Sequence, residues 1–145
     1  MKRVEMFTDG SCSGNPGAGG WGAILRYGSV QKEYSGGAPD TTNNQMELTA
    51  VIRALSELNQ PCEVIATTDS KYVVDAVEKG WLKSWQQNGW RTSGKKTVAN
   101  RELWEQLIPL LETHIVKFVW VKGHAGHPEN ERCDALATKE TEKYK

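Results

Sequence analysis

Apolar positions recur along this chain first with the spacing of strands and then with that of helices alternating with strands. RVEMFTD, GGWGAILRYG and VQKEYSGG mix β-branched, aromatic and alternating residues between glycine-rich breaks, predicting three strands joined by tight turns. From Asn43 the period changes. Leu48, Val51, Ile52, Leu55 and Leu58 fall on one helical face, and Asn59-Gln60-Pro61 stops the run. EVIATTD then reads as a buried strand, and SKYVVDAVEKG as a short helix that Gly80 ends. After a tryptophan-rich stretch, residues 100 to 113 predict a helix with Leu103, Trp104, Leu107, Ile108 and Leu111 on one side. HIVKFVWV follows as a strand, and PENERCDALATKETEK as a closing helix with Pro128 at its start. Three strands followed by alternating helix and strand imply an α/β fold, a mixed sheet covered by helices.

Composition narrows the picture. A chain of 145 residues with 38% hydrophobic content fits one domain, residues 1–145, with an ordinary core and no need of disulfides. Cys12, Cys62 and Cys133 lie far apart without C-x-x-C spacing, which suggests neither a zinc site nor a disulfide framework. MKRVEMFTDG has no apolar stretch of signal-peptide length, and no transmembrane run of about 18 apolar residues occurs. A reduced, cytoplasmic setting without membrane contact is expected. With no coiled-coil heptads, a monomer is expected too. The formal net charge is zero, so any footprint for a polyanion must be local.

The candidate chemistry lies in four acids from separate segments: Asp9 in FTDGS, Glu47 in NNQMEL, Asp69 in TTDSKY and Asp134 in ERCDALA. Asp9 and Asp69 close strands that βα connections can make parallel, so both belong at the rim where ligands of open α/β sheets bind. Glu47 and Asp134 border the core-facing stripes of their helices. Each has a local explanation. Asp9 before Gly10 suits a turn, Asn44 with Glu47 has capping-box spacing, Asp69 suits a helix cap, and Asp134 suits a solvated helix surface. If the four instead converge, each like-charge pair about 4 Å apart costs about 4 kcal/mol at an effective dielectric near 20. Hard divalent cations offset that repulsion, and magnesium held by carboxylates works on phosphates.

FTDGSCSGNPGAGGWGAIL, TTNNQMELTAVIRAL, TDSKYV, GWLKSWQQNGWRT and WVKGHAGHPENERCDALA, in this order, closely resemble type 1 ribonuclease H of the bacterial kind over nearly the whole chain. The resemblance implies a ribonuclease H-like fold, with a mixed five-stranded sheet of three antiparallel N-terminal strands and then parallel strands, flanked by helices. It implies an endonuclease that cuts the RNA strand of an RNA–DNA hybrid with two Mg2+ ions, or Mn2+, leaving 5'-phosphate and 3'-hydroxyl ends. By the same resemblance Asp9, Glu47, Asp69 and Asp134 are metal-binding carboxylates, and His124 is an assisting histidine. KGHAGHPEN, with glycines on both sides of His124, suits a loop that approaches and leaves the site. His114 and His127 read as exposed loop histidines, His127 near the start of the last helix.

Substrate contacts are also implied. Asn15, Asn43 and Asn44, with the backbone near Cys12, would meet sugars and minor-groove edges, since such an enzyme reads 2'-hydroxyls and groove shape rather than sequence. GNPG and TTNN equally suit turn and cap chemistry. Thr42 and Asn100 would hold a phosphate of the DNA strand. Residues 79 to 101 carry Lys79, Lys83, Arg91, Lys95, Lys96 and Arg101 and no acid, interleaved with Trp81, Trp85 and Trp90. This resembles the family's basic protrusion, where Lys95 and Lys96 contact phosphates and Trp81 and Trp85 pack on the DNA strand. Trp81 and Trp85 are also spaced like a helix face, and Trp90 and Trp104 suit the core. Three departures stand out: Gln86, Gln87 and Asn88 fill a stretch often basic in relatives, Gly28 stands where an arginine assists the phosphate pocket, and Lys71 replaces a commonly neutral residue. They predict weaker hybrid binding than in a more basic relative. A catalytically silent hybrid-binding module and an integrase-like enzyme acting on duplex DNA are the alternatives. Four intact acids argue against the first, and TTNN with the tryptophan-rich segment against the second.

Overall fold

The computed structural model describes residues 1–123 and 126–145. β1 (Lys2–Gly14), β2 (Gly17–Tyr27) and β3 (Val30–Thr41) form an antiparallel meander, and β4 (Cys62–Thr68) and β5 (Ile115–Trp120) extend it in parallel, giving the order β3-β2-β1-β4-β5. The helices are α1 (Asn43–Ser56), α2 (Lys71–Glu78), α3 (Trp81–Gln87), α4 (Arg101–Thr113) and α5 (Pro128–Lys143). This is the mixed five-stranded α/β sheet the sequence predicts.

Three local expectations change. β1 does not end near Asp9; Gly10 to Gly14 continue it, pairing with Trp21 to Gly17 before a turn at the cis Asn15-Pro16 bond. The glycines that look like breaks are small residues that let two strands and the helices over them close up. The tryptophan-rich stretch contains a helix, α3, which begins directly after Gly80 in its left-handed conformation (φ 78°). His114 is no exposed loop residue. It follows α4 at 4% exposure, and its Nδ1 accepts a hydrogen bond from the Cys62 backbone N–H at 3.1 Å. That bond needs the neutral ring, and burial moves its pKa in the same direction, below the ordinary histidine value.

The main core lies between the sheet and α1, α2 and α4, filled by Met6, Leu48, Val51, Leu55, Val64, Val73, Trp104 and Leu107. Trp90 and Trp104 are buried as expected. Phe7, Ile24 and Cys133 form a smaller cluster under α5. Gly19 and Gly20 are neighbours on β2 and so face opposite sides. A Cβ on Gly19 would lie 3.0 Å from Met46 Cγ of α1, and one on Gly20 2.3 Å from the Ala137 carbonyl oxygen of α5. The sheet is thus pressed between two helices where its strands carry no side chains. α5 packs on β1, β2 and β3, leaving Ile65 and Ile115 exposed on the rest of that face, with Lys117 paired opposite Ile65.

Gly22, opposite Asp9, shows the same closeness, because a Cβ there would sit 2.5 Å from the Cys133 carbonyl oxygen and 2.7 Å from Leu136 Cβ. Gly22→Ala is expected to lower stability by about 1–3 kcal/mol, the usual scale of overpacking, measured by urea unfolding. Unchanged stability would mean that α5 rises from the sheet without cost.

Candidate active site

The local roles that would explain the acids individually are filled by other residues or not at all. Asp9 lies within β1, opposite Gly22 in the ladder, and turns nothing. The capping box of α1 is Thr42 with Gln45, not Asn44 with Glu47: Thr42 Oγ1 accepts from the Gln45 N–H, and Gln45 Oε1 from the Thr42 N–H, each at 3.2 Å. Ser70, not Asp69, caps α2, accepting from the Val73 N–H at 3.3 Å. Asp69 directly follows β4, and half-buried Asp134 faces the same cleft rather than open solvent.

One carboxylate oxygen from each of Asp9, Glu47 and Asp69 lies within 4.8 Å of the other two. Asp134 joins Asp9 and Asp69 in lining a cleft that holds about 10 Å³, the room of one water-sized sphere. Asp9 is 7% exposed and Glu47 5%. Burial, then the charges of Asp69 and Asp134, push the Asp9 carboxyl up to about 8, against the pull of the Gly10 N–H that donates to its Oδ1 at 2.9 Å. Burial, then the charges of Asp9 and Asp69, hold Glu47 well above the usual carboxylate range. Glu47 Oε2 is buried without a hydrogen-bond partner among the described residues. Desolvated, mutually repelling and partly orphaned, these oxygens make a hard donor set that fits a divalent cation of the magnesium or manganese kind.

Backbone closeness holds the acids in place. A Cβ on Gly10 would lie 2.6 Å from the Glu47 amide nitrogen, and one on Gly123 2.7 Å from Asp69 Oδ2. Trp120 Nε1 donates to the Asp69 carbonyl at 2.9 Å, and Asn130 Nδ2 to the Thr67 carbonyl at 3.3 Å. Lys122, His127, Asn130 and Glu131 also line the cleft. In the sequence Trp120 reads as a strand end, Gly123 as a glycine of the His124 loop and Asn130 as part of the closing helix; nothing there ties these residues to the acids. His127 is exposed at the α5 N-cap without a side-chain capping bond. His124 lies outside the described residues.

The expected substrate residues fall into two groups. Cys12, Asn15, Thr42, Asn43 and Asn44 gather where the β1–β2 turn meets the start of α1. Cys12 Sγ donates to the Thr41 carbonyl at 3.3 Å, and Asn15 Oδ1 accepts from the Asn43 N–H at 3.2 Å. Gln45, unremarked in the sequence although T-x-x-Q is a capping signature, links this group to Asn100 at 3.2 Å. In the second group, Trp81 and Trp85 line a groove with Ser84, Asn88, Arg91 and Thr92. Trp81 is 43% exposed with Lys79 Nζ 5.6 Å over its ring, whereas Trp85 meets Trp104 edge-on at 5.6 Å, so one indole faces outward and the other is half committed to packing. Lys95 and Lys96 are exposed on the following loop. Lys79 and Arg101 are paired with Asp75 and Glu105, at 3.5 and 3.3 Å, and so are weaker contributors to a free positive field.

Gly28 must be removed from the phosphate pocket. It turns β2 into β3 at φ 58°, at the end of the hairpin opposite the Gly17–Thr41 pair. At strand rise this is about 30 Å from Thr42, so the lack of an arginine at Gly28 takes nothing from that pocket.

The family described as RNase H matches residues 1–142. Ribonuclease H of Oleidesulfovibrio alaskensis is 61% identical over 137 residues, 94% of this chain and 89% of its own. Ribonuclease H of Rhizobium meliloti (strain 1021) is 60% identical over 145 residues, 100% of this chain and 94% of its own. Among solved structures, LC9-RNase H1, a type 1 RNase H with the type 2 active-site motif, superposes with a TM-score of 0.87 at 34% identity, covering 99% of this chain and 74% of its own.

The crowded acids set the pH dependence of stability. Asp9, pushed up to about 8, and Glu47, held well above the ordinary carboxylate value, keep protons in the folded state that the unfolded chain releases above about pH 4. Their contribution is full below about pH 4 and is lost as pH rises through the folded-state values. In chelator, Asp9→Asn is expected to melt higher than the parent at pH 8 and to show a flatter fall of melting temperature with pH. A lower melting temperature would return Asp9 to a structural role.

Proposed function

This chain belongs to the ribonuclease H family, whose members cleave the RNA of RNA–DNA hybrids, and we propose that it hydrolyses that strand at the cleft formed by Asp9, Glu47, Asp69 and Asp134. The convergence of three carboxylates within 4.8 Å carries this reading. Asp9 and Glu47, buried and repelling, gain most from a cation, while half-buried Asp69 and Asp134 leave its outer side open to a phosphate. Two Mg2+ ions, or Mn2+, bound there would supply Lewis acidity to an attacking water and to the leaving oxygen, yielding 5'-phosphate and 3'-hydroxyl ends. His124 assists by proton transfer or by helping product leave, roles open to an imidazole.

Asn15, Asn43, Asn44 and the backbone at Cys12 then meet the minor groove and 2'-hydroxyls of the hybrid. Thr42 and Asn100 hold a DNA phosphate, and Trp81, Trp85, Lys95 and Lys96 follow the DNA strand outward. Residues 1–145 act as one catalytic domain, working as a monomer in the cytoplasm. Three free cysteines, two of them buried, suit a reducing compartment. No helix among the described residues is long and apolar enough to cross a membrane.

Labelled hybrid, double-stranded RNA and duplex DNA, each with magnesium and with chelator, test the proposal. Cutting is expected only of the RNA in hybrid and only with metal; an uncut hybrid, or a cut DNA duplex, overturns it. The protrusion is tested by salt titration of hybrid binding. Lys95→Ala with Lys96→Ala is expected to flatten the log–log salt dependence by up to about 0.9 per lost phosphate contact. An unchanged slope would take these lysines off the substrate path.

A further inference from the structure

The first turns of α1 and α4 are joined by a line of hydrogen bonds that can run in only one direction. The Thr42 backbone N–H can only donate, so the Gln45 atom 3.2 Å from it is Oε1, which also accepts from Thr41 Oγ1 at 2.9 Å. The other terminal atom of Gln45 is therefore Nε2, and it donates to Asn100 Oδ1 at 3.2 Å. Asn100 must then present nitrogen on its far side, where Nδ2 donates to Tyr72 Oη at 3.1 Å. Tyr72 Oη accepts a second donor, the Nε1–H of fully buried Trp104, at 3.2 Å. Asn100 sits at φ 62° before α4 and makes no capping bond with its side chain, so this sideways network is what orients its amide.

We propose that Gln45 and Tyr72 are positioning residues for recognition of the DNA strand. They fix the polarity of the Asn100 amide so that its second Nδ2–H, together with the Thr42 hydroxyl, is offered to a phosphate. This rests on the reading that Thr42 and Asn100 hold that phosphate. Thr42 Oγ1 already accepts from the Gln45 N–H, which leaves its own hydrogen free to donate. Without its anchors the Asn100 amide can turn over. Its carbonyl oxygen would then face the anion and repel it. Directional donors matter here because the cations nearby are poorly placed to substitute. Arg101 flanks the opening beside Gln45 and Asn100, but it is paired with Glu105 at 3.3 Å, and Glu102 lines the same hollow. Gln45 joins both halves, since one side chain closes the α1 capping box and aims the α4 amide.

Hybrids in which one DNA phosphate at a time is a neutral methylphosphonate test the proposal. In the parent enzyme one position is expected to raise KM about tenfold, the scale of a charge-assisted hydrogen bond. Tyr72→Phe keeps the ring but removes the oxygen that holds Asn100. It is expected to raise KM for the unmodified hybrid several-fold, with kcat nearly retained, and to abolish the extra penalty at that position. Gln45→Glu keeps an acceptor for the capping box but cannot donate to Asn100, and the same loss is expected at an unchanged melting temperature. If both variants keep the full position-specific penalty, Gln45 and Tyr72 do not position the pocket. If the parent shows no sensitive position, and Thr42→Ala and Asn100→Ala leave KM unchanged, the phosphate pocket itself is wrong.

Discussion

Burial of like charges is the constraint from which the rest of this structure follows. Asp9 and Glu47 are removed from water at the point where their repulsion is strongest, which raises the proton affinity of both. Such a cluster forms only if rigid surroundings hold it together. The chain supplies them in Gly10 beneath the start of α1, Gly22 beneath α5 and Gly123 against Asp69. A side chain at any of these positions would push apart elements that the acids themselves already tend to separate. The apolar core behind the sheet supplies the opposing stability.

The second constraint is directional rather than electrostatic. Buried polar groups need partners, and in the network from Thr42 to Tyr72 a single backbone N–H sets the orientation of two amides in succession. The same glutamine begins α1, the helix that carries Glu47 five residues after Thr42. Local helix capping, placement of Glu47 and presentation of hydrogen-bond donors are thereby mechanically connected. The acid cleft and the donor group flank the same helix start.

Much of this was legible in the chain itself. The apolar stripe from Leu48 to Leu55 defines α1, alternation and β-branching define the strands, and the four acids stand out by their surroundings. The errors came where tertiary packing overrides local pattern. The glycines after Asp9 look like a break but continue β1 because β2 pairs with the segment residue by residue, Gly10 with Trp21 through Gly14 with Gly17. Trp81 and Trp85 belong to a short helix whose spacing cannot by itself separate packing from solvent exposure, and the structure divides the roles between them. His114 reads as a loop residue because its partner, the Cys62 N–H, is distant in sequence. Trp120 and Tyr72 stand out no better in the sequence for the same reason: Trp120 acts through a hydrogen bond to Asp69, and Tyr72 through two, from Asn100 and Trp104, all remote in the chain.

The last strand leaves one side of the sheet unfinished. Among the described residues β5 pairs only with β4, and Ile65 and Ile115 remain open to water because α5 crosses the other half of the sheet. An exposed ladder beside apolar side chains is a template for another strand, and a row of such edges is how fibrils begin. This edge is only six residues long, and Lys117 stands at its centre against Ile65. A stacked copy would bring one ammonium against another and strip both of water.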